Sequence, residues 1–528
     1  MISILTIDRM VDMPGKNEFT QPTASYWINS VSIPEYRPLE EDVTVDVAIV
    51  GGGIVGITSA YLLTRQGLKV AVAEASRILQ GTTGHTTAKI TSQHSLIYAR
   101  LVKEMGSELA RQYAQANESA IKAIHRTIEE HNIDCDFSWL PAYVYTESEQ
   151  YIKDLQDETR AAQDLGIKAA YLDKIPLPFK VWAAMRFDGQ AQFHPLKYLS
   201  ALARYVSDHG GHIYEDTVAV NLEDRPVAVL TKRGPRIKAN KIIIASHYPF
   251  FDGGGFFITR IYADKSYVVA IKADEKLPEG TYINAETPTR SLRSQPDGDG
   301  EVILVGGENH KTGDESDTNV HYRNLIDYAR NSFTVTDIPY RWSTQDCMTI
   351  DGVPYVGNLT PRSPDVYVAT GFNKWGMTNA TASAMILSDL IIKGDNPWAP
   401  VFNPSRFNLA SIKTFLVQNA DVAKEMVAGK MAKLPEDIEV KPGEAQAVEV
   451  EGQKMGVFRD DTGELHWVDT TCTHLGCELI WNEAERTWDC PCHGSRFNYN
   501  GDIVEGPAFN QLNCQHNNRN EVEARIFS

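Results

Sequence analysis

The chain has 528 residues, with 51 Lys+Arg against 69 Asp+Glu and a formal net charge of −18. At about 150 residues per domain this length suggests three to four folding units, and an acidic balance argues against general nucleic-acid binding, which needs cations to displace phosphate counterions. With 42% hydrophobic and 23% charged residues, a disordered main state is excluded. No apolar run reaches the roughly 18–20 residues of a membrane span, and the N-terminus lacks a basic segment and twin arginines, so the expected compartment is the cytoplasm. Five of the seven cysteines, Cys472, Cys477, Cys490, Cys492 and Cys514, fall in the last 57 residues. That placement excludes a scattered disulfide framework and points to a local metal or redox site.

Residues 1–42 are polar, without clear periodicity, and read as an N-terminal arm. Val43–Val50 is a buried-strand run, broken by Gly51-Gly52-Gly53. Residues 54–66 carry apolar side chains at helical spacing, with Gly67 as the stop. Residues 68–73 form a second strand ended by Glu74. This is a βαβ unit. One or two long helices are expected over 95–131, mixed strand and helix over 134–190, an amphipathic helix over 197–209 and a buried strand over 241–246. Residues 260–310 read as antiparallel strands, 365–371 as a buried strand and 378–392 as a helix closing at Gly394. Three prolines at 397, 400 and 404 precede a helical segment of about 405–433. After Pro435 the chain becomes strand-like.

Gly51-x-Gly53-x-x-Gly56 lies between strand and helix. The first glycine permits the tight turn, the second admits a pyrophosphate, and the third lets helix and strand pack. The helix N-terminus then faces the anion. Glu74 is placed to accept from ribose hydroxyls. The motif alone does not separate FAD from NAD.

Gly81-Thr82-Thr83-Gly84-His85-Thr86-Thr87-Ala88-Lys89, together with Asp351–Gly357 and Gly371-Phe372-Asn373-Lys374-Trp375-Gly376-Met377-Thr378, resembles the flavin-contacting segments of the glycine/D-amino-acid oxidase family. The resemblance spans roughly 43–395. It implies an α/β doubly wound FAD-binding domain (about 43–133, 191–259 and 336–395) with an inserted antiparallel-sheet substrate domain (about 134–190 and 260–335). It also implies FAD contacts from Gly51, Gly53, Ile54, Val55, Gly56, Glu74, Thr82, Thr83, His85, Thr86, Lys89, Val218, Gly371, Gly376, Met377 and Thr378. No second such glycine motif opens a helix, so a separate nicotinamide domain is not expected. The family often clamps a substrate carboxylate with arginine. Arg293 is the first candidate here, with Arg290 and Arg260 behind it. Lys374 and Trp375 fall where relatives place groups over the flavin. Cys347 resembles the position at which some relatives attach FAD covalently, although the spacing to the next proline differs.

Cys472-Thr-His474 and Cys490-Pro-Cys492-His493 give Cys-x-His and Cys-x-x-His on two loops, with 15 residues between His474 and Cys490. Two thiolates suit a ferric iron, and two imidazoles on its neighbour add no charge. Zinc also accepts two cysteines and two histidines. Cys477 and Cys492 exceed what zinc needs, and they complete the resemblance to the Rieske family of the disulfide-bearing type. That resemblance implies a [2Fe-2S] cluster on Cys472, His474, Cys490 and His493, and a Cys477–Cys492 disulfide. It further implies a proline loop at Gly506-Pro507-Ala508 and a hydroxyl at Ser495 directed to a bridging sulfide. Phe497 stands where the bc-complex type has Tyr, which is expected to lower the potential. Cys514 and His516 read as ordinary residues. An all-β Rieske domain is placed at 436–528, behind a linker with a helix at 396–435.

A two-electron flavin and a one-electron cluster in one chain suggest an electron splitter. The expected activity is oxidation of a C–N bond in an amino acid or N-methylated amine, with an external protein, or oxygen, as acceptor. Two alternatives are a flavin/Rieske reductase feeding a partner oxygenase and a non-catalytic redox sensor.

Overall fold

The structure is a computed structural model that describes residues 23–224, 227–406, 411–431, 439–450 and 452–514. Val43–Val50 is apolar and β-branched, so it forms a strand buried on both faces. It lies between parallel partners, Arg236–Ile244 on one side and Val70–Ala73 on the other. The order of the eight-stranded sheet continues outward to Val366–Thr370 and Tyr355–Asn358 at one edge and His212–Tyr214 at the other. Helices Ile54–Arg65, Ser107–His131 and Gly376–Lys393 pack together in one layer. This doubly wound arrangement places the Gly51 turn at the C-terminal end of the central strand, where open α/β sheets bind ligands.

A nine-stranded sheet forms the second domain, in the order Val335–Thr349, Ile261–Ala273, Gly300–Lys311, Arg290–Asp297, Thr281–Asn284, Ser138–Thr146, Ala183–Gln192 and Lys89–Ile90, with Ala169–Leu172 paired to Ala183–Gln192. Three features differ from the sequence reading. Thr281–Asn284 runs parallel to Ser138–Thr146, so the sheet is mixed. Val335–Thr349 pairs along Ile261–Ala273 and belongs to this sheet, not to the nucleotide part. Its buried residues include Ser343, Gln345 and Asp346, polar groups that hide the usual apolar strand pattern. Asn319–Ser332 is a helix, buried through Tyr322, Leu325, Ile326 and Ala329 at helical spacing.

The expected arm is not a detached one from residue 23 onward. Tyr26–Ser30 is a short helix, Trp27 is fully buried, and its indole N–H donates to the Thr86 carbonyl at 2.6 Å. The C-terminal part holds a three-stranded and a four-stranded antiparallel sheet. Trp488 fills the space beside Gly456, where a Cβ would lie 2.3 Å from the indole. The helix Ile412–Met431 bridges the two halves: Asn419 donates to Thr259 O, and Val422 and Met426 pack on the C-terminal core.

Candidate functional site

One cavity of about 1180 Å³ runs from the Gly51 turn to the loop around Pro507, larger than the roughly 300–1,000 Å³ of a drug-sized pocket. Packing explains two glycines of the motif. A Cβ on Gly56 would lie 1.8 Å from the Gly51 carbonyl, and one on Gly51 (φ +111°) would lie 2.4 Å from Ala245 O. Around Gly53 only Thr83 Oγ1 approaches, at 3.2 Å, so space for a ligand remains. Gly53, Ile54 and Val55 line the cavity at the helix N-terminus, whose first N–H groups have no intrahelical acceptor. Glu74 also lines it, held in place by N–H donation from Gly52 (2.7 Å) and Ser76 (3.0 Å). This glycine cradle, helix end and acid fit the adenosine diphosphate half of FAD.

Thr82, Thr83, His85, Thr86 and Lys89 line the cavity as well, as does Val218. The segment is pinned from behind. His85 donates to the Gly81 carbonyl, while Trp342 donates to the His85 carbonyl. Gly376, Met377 and Thr378 line the far wall at the start of their helix. Gly56 and Gly371 do not line the cavity. Gly371 (φ +76°) instead packs so that a Cβ would meet Thr349 Cγ2 at 2.2 Å.

Arg293 is not a substrate clamp. It is fully buried outside the cavity lining, donating to Thr87 O (2.9 Å), Ala88 O (2.8 Å) and Gln295. Its guanidinium is consumed in holding the flavin-side segment. Arg290 pairs with Glu308, and Arg260 donates to Gly255 O and Pro404 O beside the Tyr355 ring. Lys374 and Trp375 do line the cavity. Lys374 lies 2.7 Å from Asp264 and 3.6 Å from Asp346. Burial pulls this lysine down, but the two carboxylates outweigh it and raise its pKa. Trp375 stacks on His94 at 4.9 Å. Lys89 has no such acid: burial, then Arg293, lowers it to about 7. The Cys347 thiol lies in the core with Tyr248, Phe257 and Tyr355, and the residue does not line the cavity, which runs against covalent flavin attachment there.

At the other end, Cys472, Cys490 and His493 are buried together, with Cys477 and Cys492 joined as a disulfide. The Cys490 thiol donates to Cys472 and lowers its pKa. Burial lowers both imidazoles, His493 to about 4, and so keeps them in the neutral ligating form. Nδ1 of His474 and Nδ1 of His493 are buried with no hydrogen-bond partner. Two orphaned imidazole nitrogens beside two thiols are a donor set that a two-iron cluster would satisfy. Gly506-Pro507 is a cis peptide, and Ser495 Oγ accepts from Ala508 N at 3.0 Å, which ties the proline loop down. Phe497 is fully buried in the core beneath. Cys514 donates to Asn500 O away from these groups. His516 lies outside the described residues. No described helix is long and apolar enough to cross a membrane.

The family model for FAD dependent oxidoreductases matches residues 46–390, well over half of the chain. The chain belongs to the FAD-dependent oxidoreductase family. A model for the Rieske [2Fe-2S] domain matches residues 430–516 of this oxidoreductase. YhfW of Bacillus subtilis (strain 168), whose name describes a Rieske 2Fe-2S iron-sulfur protein, is 45% identical over 492 residues, covering 92% of this chain and 96% of its own. Gamma-glutamylputrescine oxidoreductase of Escherichia coli (strain K12) is 23% identical over 71% of this chain and 90% of its own. Glycine oxidase from Geobacillus kaustophilus shares the fold, with TM-score 0.59 and 19% identity over 69% of this chain and 99% of that one. The oxidoreductase is therefore an FAD- and iron–sulfur-dependent enzyme.

The sequence reading missed the residues that join the two ends. Lys265 is fully buried between Glu485 and Asp489. Gln345 donates to Gly494 O at 2.8 Å. Tyr248 lies between the cavity and the two histidines. Each is a single residue far in sequence from its partners, without a motif.

Proposed function

We propose that this enzyme oxidises the C–N bond of an amine or amino acid and passes the electrons to an external acceptor through its Rieske domain. The observation that carries this reading is one cavity that runs from the dinucleotide turn to the Gly506-Pro507-Ala508 loop, which Ser495 ties down beside the second donor loop. When bound, FAD supplies hydride acceptance and the cluster supplies one-electron transfer.

The cavity walls would shape the substrate site. Val268, Ser291 and Gly306 of the nine-stranded sheet form one wall, and Trp375, braced by His94, forms part of another. Hydride transfer from a neutral amine depends more on such positioning than on a strong base. With Arg293, Arg290 and Arg260 committed elsewhere, a substrate carboxylate would meet Lys89. Lys374 is already neutralised by Asp264 and Asp346. Gamma-glutamylputrescine, in the name of one relative, is an amine of the proposed class.

The test is anaerobic. Amino acids and N-methylated amines are added singly while flavin absorbance and cluster EPR are recorded together. Flavin bleaching followed by a Rieske-type signal is the expected result. If no amine bleaches the flavin while a reduced carrier reduces both centres, electrons run inward and the proposal is wrong.

A further inference from the structure

We infer that Tyr248 is the electron bridge between the flavin cavity and the iron–sulfur centre, and that the Rieske domain works docked in place. The inference rests on the reading above and adds the route.

The two histidines cross edge to face, with centroids 5.2 Å apart. The Tyr248 ring stands edge-on to both, 6.4 Å from His474 and 6.5 Å from His493. The same side chain lines the cavity. Three residues before it, the Ala245 carbonyl packs against the Gly51 turn. Tyr248 is 8% exposed, and its hydroxyl has no hydrogen-bond partner. The Tyr248 ring fills the gap between the cavity and the two imidazoles.

The docking around it is tight. A Cβ on Gly494 would lie 2.4 Å from Ala263 Cβ, and one on Gly313 would lie 2.7 Å from Pro491 N. Gln345 clasps Gly494 O, and Thr318 bonds Asn482. The buried Lys265 joins the sheets through Glu485 and Asp489. His493 is 3% exposed and its ring packs against Tyr248. The histidine edge is thus already seated on the oxidoreductase domain, with no swing needed to receive electrons. With both groups bound, the cluster would take the two electrons of a reduced flavin one at a time, and the single flavin N5 proton would be released over the two transfers. Tyr248 ends unchanged, and a one-electron acceptor re-oxidises the iron.

The experiment uses the full-length holoenzyme and its Tyr248→Phe and Tyr248→Leu variants. The bound flavin is photoreduced anaerobically by a light pulse with EDTA and no added mediator, and cluster reduction is followed by freeze-quench EPR. Tyr248→Phe keeps the ring and should match wild type. Tyr248→Leu should slow cluster reduction on the order of tenfold, because a void replaces packed atoms along the route. Flavin content, iron content and the EPR line positions should stay unchanged. Should Tyr248→Leu lose a cofactor, Tyr248→Met, which fills more of the space, carries the comparison. Cluster reduction at the wild-type rate in a loaded aliphatic variant overturns the bridge. Amide hydrogen exchange of residues 490–495 should be slow in the wild type, and exchange at exposed-loop rates overturns fixed docking. A wild-type cluster that stays oxidised beside a fully reduced flavin is a distinct result, and it sinks the proposed function itself.

Discussion

Lys265→Met is the sharpest test of how the two halves are held together. Lys265 is fully buried, against Glu485 and, at 3.5 Å, Asp489. Arg496 completes the group, on Glu485, on Asp489 at 3.1 Å and on Glu505 at 3.5 Å. Two cations therefore face three carboxylates, and the substitution leaves one cation against three. Removing one partner of a buried ion pair costs about 3–5 kcal/mol, because the remaining charge is stranded. For a domain of roughly 60–100 residues each kcal/mol is about 4–8 °C, so the Rieske-domain transition should fall by roughly 12 °C or more. The assay is thermal unfolding followed by the visible circular dichroism of the cluster. Lys265→Met combined with Glu485→Gln should recover part of the loss, since the two sites are coupled. A single variant within about 1 kcal/mol of wild type would refute the argument that this network anchors the domain. The pH dependence gives a second check. Burial raises the Glu485 and Asp489 carboxyls, yet Arg496 and Lys265 outweigh it and hold both below the usual range. Their contribution is complete above the unfolded values of about 4 and is lost as pH falls below them.

Three further outcomes are expected. Gly56→Ala should yield protein without flavin, since its Cβ would meet the Gly51 carbonyl at 1.8 Å; stoichiometric flavin in the purified variant would contradict this. Lys89, lowered to about 7, carries its charge below that pH, so binding of benzoate, read by flavin spectral perturbation, should weaken as pH rises through 7. Lys89→Met should abolish that dependence, and an unchanged profile would remove Lys89 from the anion site. Cys477→Ser opens a disulfide that closes 15 residues of sequence, a loop worth about 3 kcal/mol in chain entropy. The cluster should then bleach faster at elevated temperature while the flavin is retained, and equal bleaching rates would count against the disulfide as a brace.

Part of the cavity lining was legible because its residues are close in sequence. Gly51, Gly53, Glu74 and the Thr82–Lys89 stretch lie within 40 residues and follow a strand–turn–helix order that backbone geometry enforces. The Rieske domain was legible for a similar reason, because two short loops must each present a thiol and an imidazole. Arg293 was misread because a strand arginine shows its spacing but not its face. Only the packed sheet directs it toward the Thr87 and Ala88 carbonyls. The strand Val335–Thr349 was assigned to the wrong domain because its buried Ser343, Gln345 and Asp346 mask the apolar alternation.

The sequence by itself determined the cofactor classes, since glycine spacing and cysteine–histidine spacing are set by local backbone reach. Tertiary structure alone decided that the dinucleotide cavity reaches the Gly506-Pro507-Ala508 loop and that Tyr248 lines it beside His474 and His493. Residues 248, 345 and 494 are brought together by sheet pairing and by close glycine contacts. Contacts at such separations depend on how whole domains pack, and no periodicity in the chain records them.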